Sequence, residues 1–401
     1  MPTDTVAFTS LIRPDTTIAI GDGFGAPREL SEQLTAVAEN TEGLRLVLGW
    51  MPVADPDLDP RAFADVRTFM PGWGLRSAVA QGHIRFLPVR LSGTPALLHG
   101  PLRPDVLMAT VVHTPSGYRF ANEVSWQRAA IDAGARVAAL VSRAAPVCAA
   151  GPVLPAERLT VVGETDHPPL NMPDEPVAPE LERLVENLVR FIPEGARLQI
   201  GPGALGATVL RKLEVPVRID SGLLPDSVVD LAERDLLIGT PVATYLAGGP
   251  RLREWVSGRD VLHPIEFTHD PGRLSASPLF AVNTAVEIDT DGQINVEGTE
   301  RAVVGGIGGH HDYAAAAARS VRGLSIIAVT TTHRGRSTLV ERLSRPVSTP
   351  SHDVDIVVTE HGIADLRGLD RPERTEALRA AWGSAGVREP DDSSETDSGT
   401  T

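Results

Sequence analysis

Residues 198–210 read LQIGPGALGATVL, and the order of residue types in this stretch decides the fold. Arg197–Ile200 predicts a short apolar strand, Gly201-Pro202-Gly203-Ala204-Leu205-Gly206 a glycine-rich turn, and Ala207–Leu213 a helix. The same order appears far earlier in the chain. There Thr17–Ile20 reads as a strand, Gly21-Asp22-Gly23-Phe24-Gly25 as the turn, and Arg28 to Ala38 as the helix. An apolar pair and a proline stand upstream of each, in Leu11-Ile12-Arg13-Pro14 and Phe191-Ile192-Pro193.

The echo continues outward. Asp105–Val112 predicts a strand leading to the turn Thr114-Pro115-Ser116-Gly117, an alanine-rich helix and the strand Ala135–Val141. In the second half, Phe280–Ile288 leads to Asp289-Thr290-Asp291-Gly292, a helix from Tyr313 and the strand Leu324–Val329. Strands that alternate with helices and read as continuous apolar runs predict mostly parallel sheets covered by helices. The expectation is an α/β protein with two duplicated domains, over 1–166 and 180–387. His167–Pro179, HPPLNMPDEPVAP, reads as a proline-rich linker. Pro179 then opens a helix with an apolar stripe at Leu181, Leu184, Val185, Leu188, Val189 and Ile192. Residues 388–401 hold no apolar side chain and predict a disordered acidic tail.

Composition narrows the function. The 42% hydrophobic and 22% charged content is that of a globular chain. A formal net charge of −15 argues against nucleic acid, which requires a basic face. It leaves room for a phosphorylated small molecule, because backbone amides and a few arginines bind one locally. The N-terminus lacks a signal-peptide layout, and no apolar run approaches the roughly 18 residues of a membrane span. A soluble cytoplasmic protein is the expectation. Cys148 is the only cysteine, which excludes an intramolecular disulfide and a thiolate cluster, and it reads as an inert buried thiol. Lys212 is the only lysine and reads as a solvated helix residue rather than a Schiff-base former.

Three segments carry candidate chemistry, and two of them, GPGALG and the residues after Val358, fall at carboxyl ends of expected strands, where ligands of such sheets bind. GPGALG fits a dinucleotide fingerprint, with Asp220 at a suitable distance; Pro202, however, removes one N–H, and the alternative is a bare turn. In VVGGIGGHHDY, Gly305, Gly306, Gly308 and Gly309 precede a helix, so successive amides can converge on an anion or a thioester oxyanion. The alternative is a loop kept small for packing. Finally, Glu360 and His361 follow the apolar run Asp353–Val358, where they can serve in acid–base catalysis or cap a turn. The spacing of His310, His311, Glu360 and His361 matches no common metal-ligand pattern, so no metal is expected.

Together these segments resemble the acetyl-CoA hydrolase/transferase family. The likeness is strongest over VNTAVEIDTDGQIN (282–295), VVGGIGGHHDYAAAAARS (303–320), LSIIAVTTT (324–332) and DVDIVVTEHGIADLRG (353–368). It extends more weakly to 18–30, 105–141, LQIGPGALGATVL and DSVVDLAERD. The resemblance implies a pair of CoA-transferase-type α/β domains with the active site between them, coenzyme A as ligand and commonly a homodimer. It also implies a glutamate that attacks acyl-CoA and becomes a glutamyl-CoA thioester.

This sequence departs from the family at that position. Aligned without gaps ahead of Asp226-Ser227-Val228-Val229-Asp230-Leu231, the nucleophile position is Gly222. Asp220, two residues away on an expected strand, faces the same way but is displaced by roughly 6–7 Å. His310 and His361 replace the family's usual glutamine and tyrosine, and imidazoles near a CoA site can activate water at neutral pH. The expectation is therefore an acyl-CoA-processing enzyme that hydrolyses rather than exchanges. Glu360 would be its base or polarising carboxylate, Asp220 a substitute carboxylate, His310 and His361 helpers, and Gly201, Gly203, Gly305, Gly306, Gly308 and Gly309 the ligand cradle. The alternatives are a non-catalytic CoA-binding subunit and an NAD-dependent oxidoreductase.

Overall fold

The structure is a computed structural model and describes residues 5–148, 150–172 and 176–389. The first half builds one sheet from β1 (Thr17–Ile20), β2 (Arg45–Leu48), β3 (Asp65–Thr68), β4 (Arg85–Phe86), β5 (Val106–Thr114), β6 (Gly117–Phe120), β7 (Arg136–Ser142) and β8 (Leu159–Thr165). Its order is β4-β3-β2-β1-β5-β7-β8, all parallel, and β6 folds back antiparallel on β5 through the 114–117 turn. Thr114 Oγ1 closes that turn on Gly117 O at 2.6 Å.

The second sheet uses β9 (Arg197–Ile200), β10 (Arg218–Ile219), β13 (Phe280–Asn283), β14 (Leu324–Ala328), β15 (Ile356–Val358) and β16 (Ile363–Asp365), after the small parallel pair β11 (Leu223–Pro225) and β12 (Tyr245–Ala247). The large sheet runs β10-β9-β13-β14-β15-β16, parallel except for the last strand. Strands matched by the sequence echo hold equivalent places in the two sheets. β1 lies between β2 and β5, as β9 lies between β10 and β13. One expected strand is broken: Phe280–Ile288 stops at Asn283 and resumes at Glu287–Asp289, which frees Thr284 from the ladder.

Alternation across each strand sorts side chains between layers. Ile18 and Ile20 join Leu30 and Leu34 on one face of the first sheet, while Ala19 joins Leu107 and Ala109 on the other. That second face belongs to an apolar cluster containing Leu198, Val282 and Ile326 of the other sheet. The halves therefore share this cluster, beside others enclosed by the first half alone (Ile18, Leu30) and by the second alone (Ile288, Trp382). Every fully buried Leu, Ile or Val in it contributes about 1.5–3 kcal/mol.

Four helices flank the site or brace its loops: α1 (Pro179–Leu188), α2 (Ala204–Lys212), α3 (His310–Arg319) and α4 (Arg371–Trp382). α1 starts where expected, with proline in its first turn and Glu180 and Glu182 at its positive end, and it buries Leu184, Val185 and Leu188. Of the tail expected over 388–401, only Arg388 and Glu389 fall among the described residues. Arg388 donates its N–H to Leu339 O and pairs with Glu287. Residues 390–401, and 173–175 of the linker, lie outside the described residues. No helix among the described residues is long and apolar enough to cross a membrane.

Candidate active site

The carboxyl ends of β9 and β13 open into a cavity of about 230 Å³ between the two halves. The first half supplies Trp50, Met70, Trp73 and Leu91; the second supplies the glycine segments at 201, 222 and 306–309. Gln199 and Asn283, on adjacent strands, form its floor through two reciprocal amide hydrogen bonds of 3.2 Å. At Leu205 and Thr284 this cavity meets a larger one of about 730 Å³, whose lining includes six arginines, among them Arg76, Arg334 and Arg342.

The glycine loop before α3 serves two purposes. It docks on the first half: Leu91 N–H donates to Gly308 O at 2.8 Å, and Asp312 accepts from Ser92 N–H (3.0 Å) and its hydroxyl (2.5 Å). A Cβ at Gly306 would come 3.0 Å from Phe69 O and from Pro71 Cδ, so close packing alone demands glycine there. Gly306, Gly308 and Gly309 also line the cavity, Gly308 with φ +54°, and they bring the amino end of α3 to it. Gly305 and Gly203 stand outside the lining. Gly203, at φ +99°, makes the turn into α2, whereas Gly201 and Gly206 reach the cavity wall.

Glu360 stands just past β15 as expected, but it is not among the residues lining the inner cavity. It accepts from Thr331 N–H (2.9 and 3.1 Å) and Thr331 Oγ1 (2.7 Å), which anchors the loop after β14. His361 lies 3.7 Å from it with a half-exposed ring and also lies outside the cavity lining. Asp220 is held from both oxygens by Arg273 (2.7 and 2.9 Å) and approached by Arg197, so it faces an ion pair rather than a substrate. That pairing also removes it from the ribose-binding role of a dinucleotide site. His310 does line the cavity, but both nitrogens are engaged. Nε2 donates to Thr284 O (2.9 Å) and Nδ1 accepts from Thr349 Oγ1 (2.9 Å), while burial pushes its pKa down to about 4. It braces the broken strand.

Gly222, just before β11, opens onto the cavity. The nearest atoms to a Cβ there would be His269 Cε1 and Nε2 at 3.4 Å and Tyr313 Cε2 at 3.8 Å, and its φ lies outside the left-handed region. His269 is the residue that sequence reasoning missed. It stands in IEFTHDPGR, a segment with no motif to single it out. Its ring is buried, Nδ1 lies 2.8 Å from Thr268 Oγ1, and the Tyr313 ring packs edge-on at 4.9 Å. Burial first, then the Arg273 charge, pushes its pKa down to about 3.

The first-half glycine loop has been filled from within. Glu123 occupies the space beside Gly23 and Gly25, and its Oε1 accepts the Gly25 N–H at 2.9 Å. Asp22 Oδ2 accepts from Trp50 N–H, Trp126 Nε1 and Tyr245 OH at 2.9–3.0 Å. Burial raises the pKa of both carboxyls, and the nearby Asp22 charge adds to the rise at Glu123.

Likenesses to known proteins fall on this geometry. The acetyl-CoA hydrolase/transferase C-terminal domain matches residues 248–382, which include the glycine loop and β13 to β16. Over those residues the chain is similar to the acetyl-CoA hydrolase/transferase family. It is 25% identical over 394 residues to the 4-hydroxybutyrate coenzyme A transferase of Clostridium kluyveri, covering 92% of this chain and 91% of that one. It is 29% identical over 250 residues to an acetyl-CoA hydrolase of Kluyveromyces lactis, covering 57% and 47%. The solved structure of RipA from Yersinia pestis shares the fold of this chain with a TM-score of 0.84, at 22% identity over 94% and 93% of the chains.

Proposed function

We propose that this chain processes an acyl-CoA thioester in the cavity between its halves, and does so by hydrolysis rather than acyl exchange. One observation carries the reading: among the described residues, no aspartate or glutamate lines the inner cavity. Exchange through a mixed anhydride needs a carboxylate nucleophile at the thioester carbon. The position the resemblance assigns to it is Gly222, and the neighbouring Asp220 is committed to Arg273. The surroundings suit the ligand. The arginine-rich outer cavity matches the phosphates of coenzyme A, and the narrow inner cavity matches a thioester and its acyl group. Gly308, Gly309 and the amino end of α3 offer positive potential where a carbonyl oxygen gains charge. The names of both curated relatives, one a transferase and one a hydrolase, support coenzyme A chemistry.

The test is thiol release from a panel of acyl-CoA esters, with and without acetate or succinate as acceptor. The expected outcome is release that needs no acceptor. Acceptor-dependent exchange with a trapped enzyme–CoA thioester overturns the hydrolytic reading. CoA-dependent thermal stabilisation without turnover on any ester would favour a non-catalytic CoA-binding subunit instead. The homodimer implied by the resemblance is part of the proposal and is checked by light scattering of the purified chain.

A further inference from the structure

We propose that His269 is the catalytic base of this site, taking a proton from the water that attacks the thioester. The inference rests on the hydrolytic reading above and adds the group that performs it. Four groups on the inner cavity wall carry an imidazole or a phenol: His269, His310, Tyr245 and Tyr313. Three of them are committed. His310 bonds through both nitrogens, Tyr245 OH bonds to Asp22 and Ser125, and Tyr313 OH donates to Thr268 O at 3.0 Å. His269 spends only one nitrogen, Nδ1, on Thr268 Oγ1.

The other nitrogen points into the gap between two glycines. Nε2 lies 3.4 Å from where a Cβ at Gly222 would stand, and 2.4 Å from where one at Gly309 would stand. Side chains at either position would fill the space in front of it, and both are glycine. The resemblance assigns the nucleophilic carboxylate to one of them, so the lone pair of His269 faces the place where that carboxylate would act.

Local geometry accommodates the useful tautomer. Thr268 Oγ1 lies 3.4 Å from Pro264 O and 2.8 Å from Nδ1, so a hydroxyl that donates to the carbonyl accepts Nδ1–H. Nε2 is then left as an acceptor. Burial keeps the ring neutral, which preserves that acceptor, and the edge-on Tyr313 ring limits its rotation. Arg273, the charge that acts on the ring, is already paired with Asp220.

The step balances without any other reactant. Water held on Nε2 gives it a proton while the water oxygen bonds to the thioester carbon, and the carbonyl becomes an oxyanion beside Gly308 and Gly309. Collapse breaks the carbon–sulfur bond, and the departing thiolate takes the proton back from Nε2–H. The products are one carboxylic acid and one thiol, with His269 neutral again.

The experiment compares thiol release by the full chain, His269→Ala and His269→Asn, using whichever acyl-CoA ester the wild type cleaves fastest. A base in this position contributes about 10²–10⁴-fold. Turnover should fall by that factor in both variants with KM nearly unchanged, and added imidazole should restore part of it in His269→Ala alone. Wild-type turnover in either folded variant overturns the inference and leaves the hydrolytic reading standing. So does loss that imidazole cannot relieve and that appears mainly in KM, which marks a packing role. If the wild type itself releases no thiol from any ester, the hydrolytic reading fails and this inference with it. If His269→Ala does not fold, the His269→Asn rate decides alone.

Discussion

At the scale of single residues, the site is defined by what two positions lack. Gly309 has φ −87°, which any residue adopts, so its glycine is not required by backbone conformation. What forbids a larger side chain is His269, whose Nε2 would lie 2.4 Å from the new Cβ. The imidazole cannot swing away freely, because Thr268 and Tyr313 hold it. Gly309→Ala should therefore displace the ring by about an ångström, lower turnover by about a hundredfold and cost about 1–3 kcal/mol of stability through overpacking. Steady-state rates and melting curves on one preparation check this, and an unchanged rate would show that the ring position is immaterial. Gly222 is the opposite case. A Cβ there meets nothing closer than 3.4 Å, so Gly222→Glu should fold and place a carboxylate in the cavity. Intact-protein mass spectrometry after incubation with acyl-CoA should then show a covalent CoA adduct that the wild type lacks. A variant that folds but forms none would remove Gly222 from the nucleophile position.

At the scale of elements, the residues after β15 show how far sequence pattern reaches. The apolar run at 354–358 correctly signals a buried strand with Glu360 at its carboxyl end. It carries no information on which way that carboxylate turns, because direction depends on the loop of the neighbouring strand β14. Glu360 turns toward Thr331, and Trp382 of α4 donates to the same Thr331 through Nε1 at 3.2 Å. One loop is thus tied from two sides. His269 was illegible for a related reason: its meaning arises from Gly222 and Gly309, which lie far from it in sequence and are joined only by the fold. Glu360→Gln keeps one acceptor oxygen but loses the charge-assisted bonds to a buried amide and hydroxyl. The expected cost is about 1–3 kcal/mol of stability, read by urea denaturation, with thiol release kept within about tenfold. A large rate loss without destabilisation would return Glu360 to the chemistry.

At the scale of the whole molecule, the alternation of strands and glycine turns made the α/β class and most strand positions legible. The equivalent strand orders are what a duplication would leave. What pattern could not reveal is that the two halves meet through buried acids. Tyr245 of the second half donates to Asp22 of the first, and Asn122 links Glu123 (2.8 Å) to Leu246 O (2.9 Å). Both carboxyls have raised pKa values because burial disfavours their charge, so the folded protein holds protons there that the unfolded chain releases near pH 4. The stability this supplies is therefore complete below the unfolded pKa and is lost as pH rises through the folded values. The contribution of this pair to Tm should thus decline as pH rises from about 4, while the buried neutral His269 and His310, whose pKa values are lowered, add stability up to about pH 6.5. Asp22→Asn keeps an oxygen for the three donors while removing one buried charge and its repulsion of Glu123. Its Tm should therefore gain on that of the wild type as pH rises, and the two curves should converge at the acid end. Parallel curves would mean that this pair does not govern how the halves hold together.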